Sequence, residues 1–136
     1  IMVSPARIPS KQLSIPLDLV IRNVDCDPSV YVGAAVRVDS LGVIYNALAD
    51  SSANSNVIGI VEVKPSSILC DVRVLGITLE IFLGLDVTKE YFLSATVPGL
   101  ITTVVPTGSG EMVVNLGKPW SATEFLFLGA KRMRRS

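Results

Sequence analysis

The chain has 136 residues, of which 49% are hydrophobic and 18% are charged, and its formal net charge is zero. A chain of this length favours a single domain. A typical soluble domain is about 25% charged, so the lower charge content indicates more apolar side chains than one core can bury. The lack of histidine excludes Ser-His-Asp and Cys-His catalytic groups within one chain, and no apolar run reaches the length of a membrane-spanning helix.

The N-terminal stretch is predicted to be an extended arm. Residues 1–14 contain Pro5 and Pro9, show little periodicity and lack the apolar core of a secretory signal. An ordered arm of this kind lies on a neighbouring chain. We therefore expect an arm at residues 1–14, a single β domain at residues 15–129 and a basic tail at residues 130–136.

The first half of the chain is predicted to form strands joined by polar turns. Leu17–Arg22 alternates and is the first predicted strand, and Asp25–Pro28 is an exposed turn in which Asp side chains bond the backbone two residues on. Residues 32–39 and 43–47 are predicted strands around the turn at Ser40-Leu41-Gly42, which gives a hairpin.

The middle of the chain contains a predicted central strand. Residues 56–63 are apolar on both faces apart from Glu62, which indicates a strand covered on two sides. Residues 68–74 alternate, which predicts that Cys70 points inward while Asp71 and Arg73 point outward.

Residues 77–83 show the most regular alternation in the chain and are also predicted to be a strand. Phe82 falls on the polar face of this strand, beside Glu80. An aromatic side chain at such a position indicates a partner surface.

Residues 91–128 are predicted to form four short strands separated by three turns. Pro98-Gly99 suits the two central positions of a type II turn, and residues 106–110 and 117–121 supply two further turns. Between the last two turns, residues 111–116 alternate with a period of two. With about ten short antiparallel strands, the chain is predicted to be all-β, a compact sandwich or small barrel.

Candidate catalytic and ligand-binding groups are few. Asp25 and Asp27 form the one acidic cluster, which is either a solvated turn or part of a calcium site that lacks most of its oxygen ligands. The glycines of residues 107–110 precede a strand, whereas a phosphate-binding loop precedes a helix. Cys26, in a predicted loop, and Cys70, in the predicted core, are too few for a zinc site and are expected to be free thiols. We therefore expect no metal, no cofactor and no enzymatic activity.

Residues 30–128 carry a resemblance to a known class of proteins. The runs that carry it are Tyr91-Phe92-Leu93-Ser94, Pro98-Gly99-Leu100-Ile101-Thr102-Thr103, Val113-Val114 with Leu116-Gly117, Ser121-Ala122-Thr123-Glu124, and upstream Ala47-Leu48-Ala49-Asp50-Ser51 with Asn56-Val57-Ile58-Gly59-Ile60-Val61-Glu62. They resemble a segment that recurs in tail-fibre, collar and decoration proteins of tailed bacteriophages. In size and order, the chain is most similar to small tail-tip collar proteins of long-tailed siphophages, which hold the lateral tail fibres.

This resemblance implies a non-enzymatic structural subunit of the virion tail that is assembled in the host cytoplasm. The implied partners are copies of the chain itself, as a trimer or a ring of trimers, together with tail-tube or baseplate proteins and side tail fibres. Nucleic acid and membrane are not implied partners. The alternatives are a capsid decoration protein and a carbohydrate-binding adhesin, in which Trp120 and Tyr91 would stack on sugars.

The predicted interface combines aromatic anchors with C-terminal arginines, because these residue types dominate binding energy at interfaces. Its members are Phe82, Tyr91, Trp120, Phe125, Phe127, Arg132, Arg134 and Arg135. Four of the twelve basic residues lie in the last six positions, which leaves a net charge of −4 on residues 1–130. The basic end is a disordered solubilising tail, a segment that docks on an acidic neighbour, or a weak nucleic-acid contact.

Overall fold

The computed structural model describes residues 18–134, and ten strands form within them. In chain order they are β1 (Leu19–Asp25), β2 (Ala35–Val38), β3 (Ile44–Asn46), β4 (Gly59–Ser66), β5 (Leu69–Ile77), β6 (Tyr91–Leu93), β7 (Ile101–Thr102), β8 (Met112–Pro119), β9 (Phe125–Phe127) and β10 (Lys131–Arg134). The predicted arm at residues 1–14 lies outside the described residues, as does Arg135.

The strands belong to one curled antiparallel sheet with the shape of a half-barrel. They follow the order β3-β2-β4-β5-β9-β8-β6-β7, while β1 pairs with β5 and β10 pairs with β8 outside this path. No helix forms within residues 18–134. The prediction of an all-β fold with about ten short antiparallel strands is confirmed.

The first half of the sheet closes around its own apolar core. Directly after β1, Cys26 forms a parallel bridge with Ile44 of β3. The amide of Cys26 donates to the carbonyl of Ile68 at 2.8 Å, and the amide of Asp27 donates to the carbonyl of Ile44 at 2.9 Å. These bonds bring β1 against β3 as well as β5. The core that they enclose consists of Cys26, Val30, Ala34, Val36, Ile44, Val61, Cys70 and Val72.

Both cysteines lie in this first core as free thiols, which confirms the predicted chemistry and the predicted position of Cys70. Cys26 lies outside the strands, between β1 and the turn that follows, and its side chain is buried at the bridge to Ile44. Burial, together with the neighbouring Cys26 thiol, raises the pKa of Cys70 to about 12.

The second half of the sheet packs around an aromatic core. Phe125 of β9 meets the Tyr91 ring edge-on, with 5.9 Å between the ring centroids. Ala35 of β2 and Ile60 of β4 also belong to this core. Because Ala35 faces the second core and its neighbour Val36 faces the first, β2 is buried on both faces and lies between the two cores.

The predicted type II turn at Pro98-Gly99 is confirmed and joins the two halves. The amide of Leu100 donates to the carbonyl of Val97 at 3.2 Å, and Gly99 has a φ of +77°, as the third position of this turn requires. The Gly99 carbonyl accepts from the amide of Ala35 at 2.9 Å, and its amide donates to the carbonyl of Ala47 at 2.7 Å. The turn is therefore hydrogen-bonded to the residues at the β2–β3 hairpin.

Three further strand predictions are confirmed. The hairpin of β2 and β3 pairs Val38 with Ile44 across the predicted turn. The central strand β4 places Ile60 in the second core and Val61 in the first, so both of its faces are covered. In β8, buried and partly exposed residues alternate from Met112 onward, as the period of two predicted.

Two predictions for the middle of the chain are wrong. Asp71 and Arg73 are buried, because the Asn23 amide covers the carboxylate of Asp71 and Glu62 pairs with Arg73. The predicted strand at residues 77–83 is not a strand: β5 ends at Ile77, and the chain then follows residues 122–125 through irregular backbone hydrogen bonds.

Two predictions for the C-terminal part also need correction. β8 continues through Gly117 to Pro119, so the predicted turn at residues 117–121 begins later, at Trp120, whose amide donates to the carbonyl of Glu124 at 2.8 Å. The predicted tail contains β10, which pairs with β8 from Lys131 opposite Asn115 to Arg134 opposite Met112. This basic segment forms a strand because its backbone pairs with β8, and backbone pairing does not depend on side-chain charge.

Candidate interaction surface

Three of the predicted interface anchors are core residues. Phe125 and Phe127 are 0% and 1% exposed, and Tyr91 is 8% exposed. The two phenylalanines alternate along β9 with Leu126 and point into the second core. The assignment of Phe125 and Phe127 to an interface is therefore corrected, because their side chains are buried inside the protomer, whereas Tyr91 also lines a surface hollow beside Phe82.

Phe82 lies between the core and the surface. Its ring packs against Phe125, with 6.3 Å between the centroids, while part of it stays exposed. A Cβ added to Gly33 would meet the Phe82 ring at 3.2 Å, so the ring lies directly over the backbone of Gly33. The amide of Phe82 donates to the carbonyl of Thr123 at 3.1 Å, which fixes the segment that carries it.

Trp120 and the C-terminal arginines occupy different places. Trp120 is exposed in the turn between β8 and β9, and its role stays a prediction. The Arg132 guanidinium donates to the carbonyl of Ser52 at 2.7 Å and lies 3.3 Å from the Ser55 hydroxyl, so Arg132 holds the protomer's own loop. Arg134 ends β10.

Two adjoining hollows lie beside the end strand of the sheet. A hollow of about 340 Å³ is lined by Tyr31, Phe82 and Leu83. A second, of about 460 Å³, is lined by Val104 and Glu111. Leu100, directly before β7, lines both. We call these two hollows together the sheet-end groove, defined by Tyr31, Phe82, Leu83, Leu100, Val104 and Glu111.

The apolar side chains of the sheet-end groove are presented to solvent. Leu83 is 92% exposed, Val104 is 69% exposed and Leu100 is 40% exposed. The Tyr31 hydroxyl donates to the carbonyl of Pro98 at 2.9 Å, which holds the tyrosine ring against the Pro98-Gly99 turn. Exposed apolar side chains around surface hollows are typical of binding surfaces.

The sheet-end groove carries a single charge among the described residues that line it, the carboxylate of Glu111. The amide of Gly108 donates to this carboxylate at 2.8 Å, and the amide of Glu111 donates to the carbonyl of Gly108 at 3.2 Å. The carboxylate is therefore held at one end of an otherwise uncharged surface. Apolar side chains and a cation would complement this groove.

The sheet-end groove was not predicted, because its residues come from four separate parts of the chain. Phe82 was the one signal: an aromatic residue on a nominally polar face predicted a partner surface, and the structure places it in the groove. The strand predicted for residues 77–83 placed its neighbour Leu83 on the inner face, so Leu83 was not predicted to be a surface residue.

A buried ion pair between β4 and β5 was also missed. Glu62 accepts from the Nε of Arg73 at 2.7 Å and from the amide of Leu79 at 3.0 Å, and Arg73 also pairs with Asp18. Burial alone would lower the pKa of Arg73, but its hydrogen bonds to the two carboxylates raise it above its ordinary value. The one sequence signal was Glu62 itself, an acidic residue in an otherwise apolar strand.

The turn predicted at Asp25–Pro28 begins later, because Asp25 ends β1 and the amide of Val30 donates to the carbonyl of Asp27 at 3.0 Å. The Asp27 carboxylate accepts from the amide of Ser29 at 3.1 Å and from its hydroxyl, and these bonds lower the pKa of Asp27. Within residues 18–134, no group of three or more Cys, Asp or Glu side chains is placed to hold a metal ion. The described part of the chain also contains no helix long and apolar enough to cross a membrane.

Comparisons with known proteins identify no relative: no family model, no curated protein and no solved structure matches the chain.

Proposed function

We propose that the chain is a non-enzymatic structural subunit of a tailed-phage virion, which associates with copies of itself at the tail tip and holds side tail fibres there. The observation that carries this proposal is the sheet-end groove, in which apolar side chains from separate parts of the chain meet in solvent. Monomeric soluble proteins rarely expose large contiguous apolar surfaces, and an assembly covers them.

The resemblance of residues 30–128 to phage collar, fibre and decoration proteins supports a place for the chain in a phage virion. The low charge content supports association as well, because charged side chains are depleted at the centres of interfaces. Burial of apolar area contributes about 25 cal/mol per Å² before the costs of association, so an interface of ordinary size supplies enough adhesion.

The test is the location of the chain in purified particles of the phage that encodes it. We expect mass spectrometry to detect the chain in these particles, and antibodies against it to label the tail tip in electron micrographs. Labelling of the capsid surface would favour the decoration protein instead. Absence of the chain from purified particles would overturn the proposal.

A carbohydrate-binding adhesin is the second candidate, and the observation that favours it is Trp120, which is 60% exposed in a turn. An exposed tryptophan stacks on the apolar face of a sugar ring. A glycan array distinguishes the candidates: specific binding that the Trp120→Ala variant loses would favour the adhesin, and the structural subunit predicts no such binding.

A further inference from the structure

Charge is divided between the ends of the chain and its body. All twelve acidic residues lie within residues 18–130, together with six of the twelve basic ones, so this part carries a net charge of −6. Residues 1–17 contain Arg7 and Lys11 and no acidic residue. Opposite charges favour contact between an N-terminal segment and the body of a chain.

The chemistry of residues 1–17 matches the sheet-end groove. Eight of these residues are apolar, namely Ile1, Met2, Val3, Ala6, Ile8, Leu13, Ile15 and Leu17, and three are prolines. Proline favours the extended polyproline II conformation, and segments of this type dock in grooves lined by aromatic side chains. The sheet-end groove has aromatic walls at Tyr31 and Phe82 and one anion, Glu111, for a cation of the segment.

The place where this segment joins the body is fixed. Asp18 pairs with Arg73, which also holds Glu62, and Glu62 in turn accepts from the amide of Leu79. Leu79 precedes the stretch that supplies Phe82 and Leu83 to the sheet-end groove. The segment therefore leaves the body beside the residues that lead into the groove.

The segment is long enough to reach a second copy. Seventeen residues in an extended conformation span about 50 Å at about 3.1 Å per residue. A body of this size has a radius of gyration of about 13 Å. The segment is thus longer than the body is wide, and it can extend from one protomer to the next.

We propose that residues 1–17 of one copy dock in the sheet-end groove of a second copy, with their apolar side chains over Leu83, Leu100 and Val104 and with Arg7 or Lys11 paired to Glu111. The inference rests on the proposed function, since it requires copies of the chain to associate. Each subunit gives one segment and receives another, so every groove in a closed ring is filled.

Cysteine cross-linking between full-length chains tests this exchange. One chain carries Ile8→Cys, another with a different affinity tag carries Val104→Cys, and the two are mixed with a thiol-specific bis-maleimide. The native thiols of Cys26 and Cys70 are buried and serve as an internal blank. The matched control replaces Val104→Cys with Leu41→Cys, because Leu41 is 85% exposed and does not line the groove.

We expect at least a tenfold higher yield of the mixed product with Val104→Cys than with Leu41→Cys. Equal yields, or a cross-link that forms only inside a chain carrying both Ile8→Cys and Val104→Cys, would overturn the inference. A second variant, Leu100→Asp, is expected to abolish the cross-link and lower the mass of the assembly, whereas Leu41→Asp does neither.

These outcomes separate the inference from the function on which it rests. If wild-type copies associate and the cross-link is absent, the docking of residues 1–17 is wrong while the structural role stands. If wild-type chains are absent from particles and are monomeric in solution, the proposed function is wrong, and the inference that rests on it is wrong as well. Circular dichroism of each variant establishes that the fold is retained.

Discussion

Removal of the Glu62 charge is predicted to destabilise the protomer strongly. In Glu62→Gln the side chain keeps its size, but the two hydrogen bonds from Arg73 and the one from the amide of Leu79 lose their anionic acceptor. The Arg73 guanidinium, with a side chain 8% exposed, is then left with Asp18 as its one anionic partner among the described residues.

The size of the effect follows from burial. Removal of one partner of a buried ion pair costs about 3–5 kcal/mol, because the other charge stays buried without compensation. Asp18 is largely exposed and keeps part of the compensation, which places the expected cost at the lower end, about 3 kcal/mol. This is a large share of the total stability of a small domain, which is about 5–15 kcal/mol.

Urea unfolding, followed by circular dichroism, measures the effect. With a urea dependence of about 2 kcal/mol per M, the midpoint of Glu62→Gln is expected to fall by about 1.5 M. The control Asp18→Asn removes the exposed partner and is expected to cost less than about 1 kcal/mol.

The double variant Glu62→Leu with Arg73→Met tests the physical reason, since it removes both charges at once. It is expected to be more stable than Glu62→Gln, because no buried charge is left without a partner. A cost below about 1 kcal/mol for Glu62→Gln, or a double variant less stable than Glu62→Gln, would refute the reasoning.

Three other predictions concern the cores and the central turn. Gly99→Ala is expected to cost about 2–3 kcal/mol in urea unfolding, against about 1 kcal/mol for Gly110→Ala, because both have positive φ but only Gly99 is in contact with packed side chains; equal costs would contradict this. Phe125→Ala is expected to cost about 3–5 kcal/mol, whereas Trp120→Ala stays within about 0.5 kcal/mol, and a mild Phe125→Ala would mean that Phe125 is not a core residue. The contribution of Cys70 to stability is expected to be level below pH 9 and to fall between pH 9 and about 12, since its thiol ionises in the unfolded chain before it does so in the folded one; subtracting the pH profile of Cys70→Ala isolates this contribution, and a zero difference in slope would contradict it.

Turn chemistry was the most reliable guide to the fold. The turn at Pro98-Gly99 and the Asp27 turn are both local structures, set by a few adjacent residues, so the sequence predicted them. The all-β class followed because several such turns separate short apolar runs along the chain.

The orientation of side chains was harder to predict, because two cores share the sheet. Alternation identifies an inner face when the other face is wet, but Ala35 and Val36 are both 0% exposed on opposite faces of β2. Asp71 and Arg73 lie on the opposite face of β5 from Cys70, as alternation predicted, but that face is buried as well. There Asp71 accepts from the bulged strand β1, and Arg73 pairs with Glu62. Such long-range polar contacts have no local signal.

The interface prediction failed for a related reason. Aromatic residues fill cores as well as interfaces, and composition alone does not separate Phe125, which is buried, from Trp120, which is exposed. Phe82 was found from its position on a polar face, although the strand that was predicted around it does not form. The groove itself depends on how residues 31, 82–83, 100 and 104 meet in the fold.

The mass of the full-length chain in solution, measured by sedimentation equilibrium at micromolar concentration, tests most directly whether copies of the chain cover its exposed apolar side chains. The account predicts a defined multiple of the 14.5 kDa chain. A mass of 14.5 kDa that does not change with concentration would contradict it.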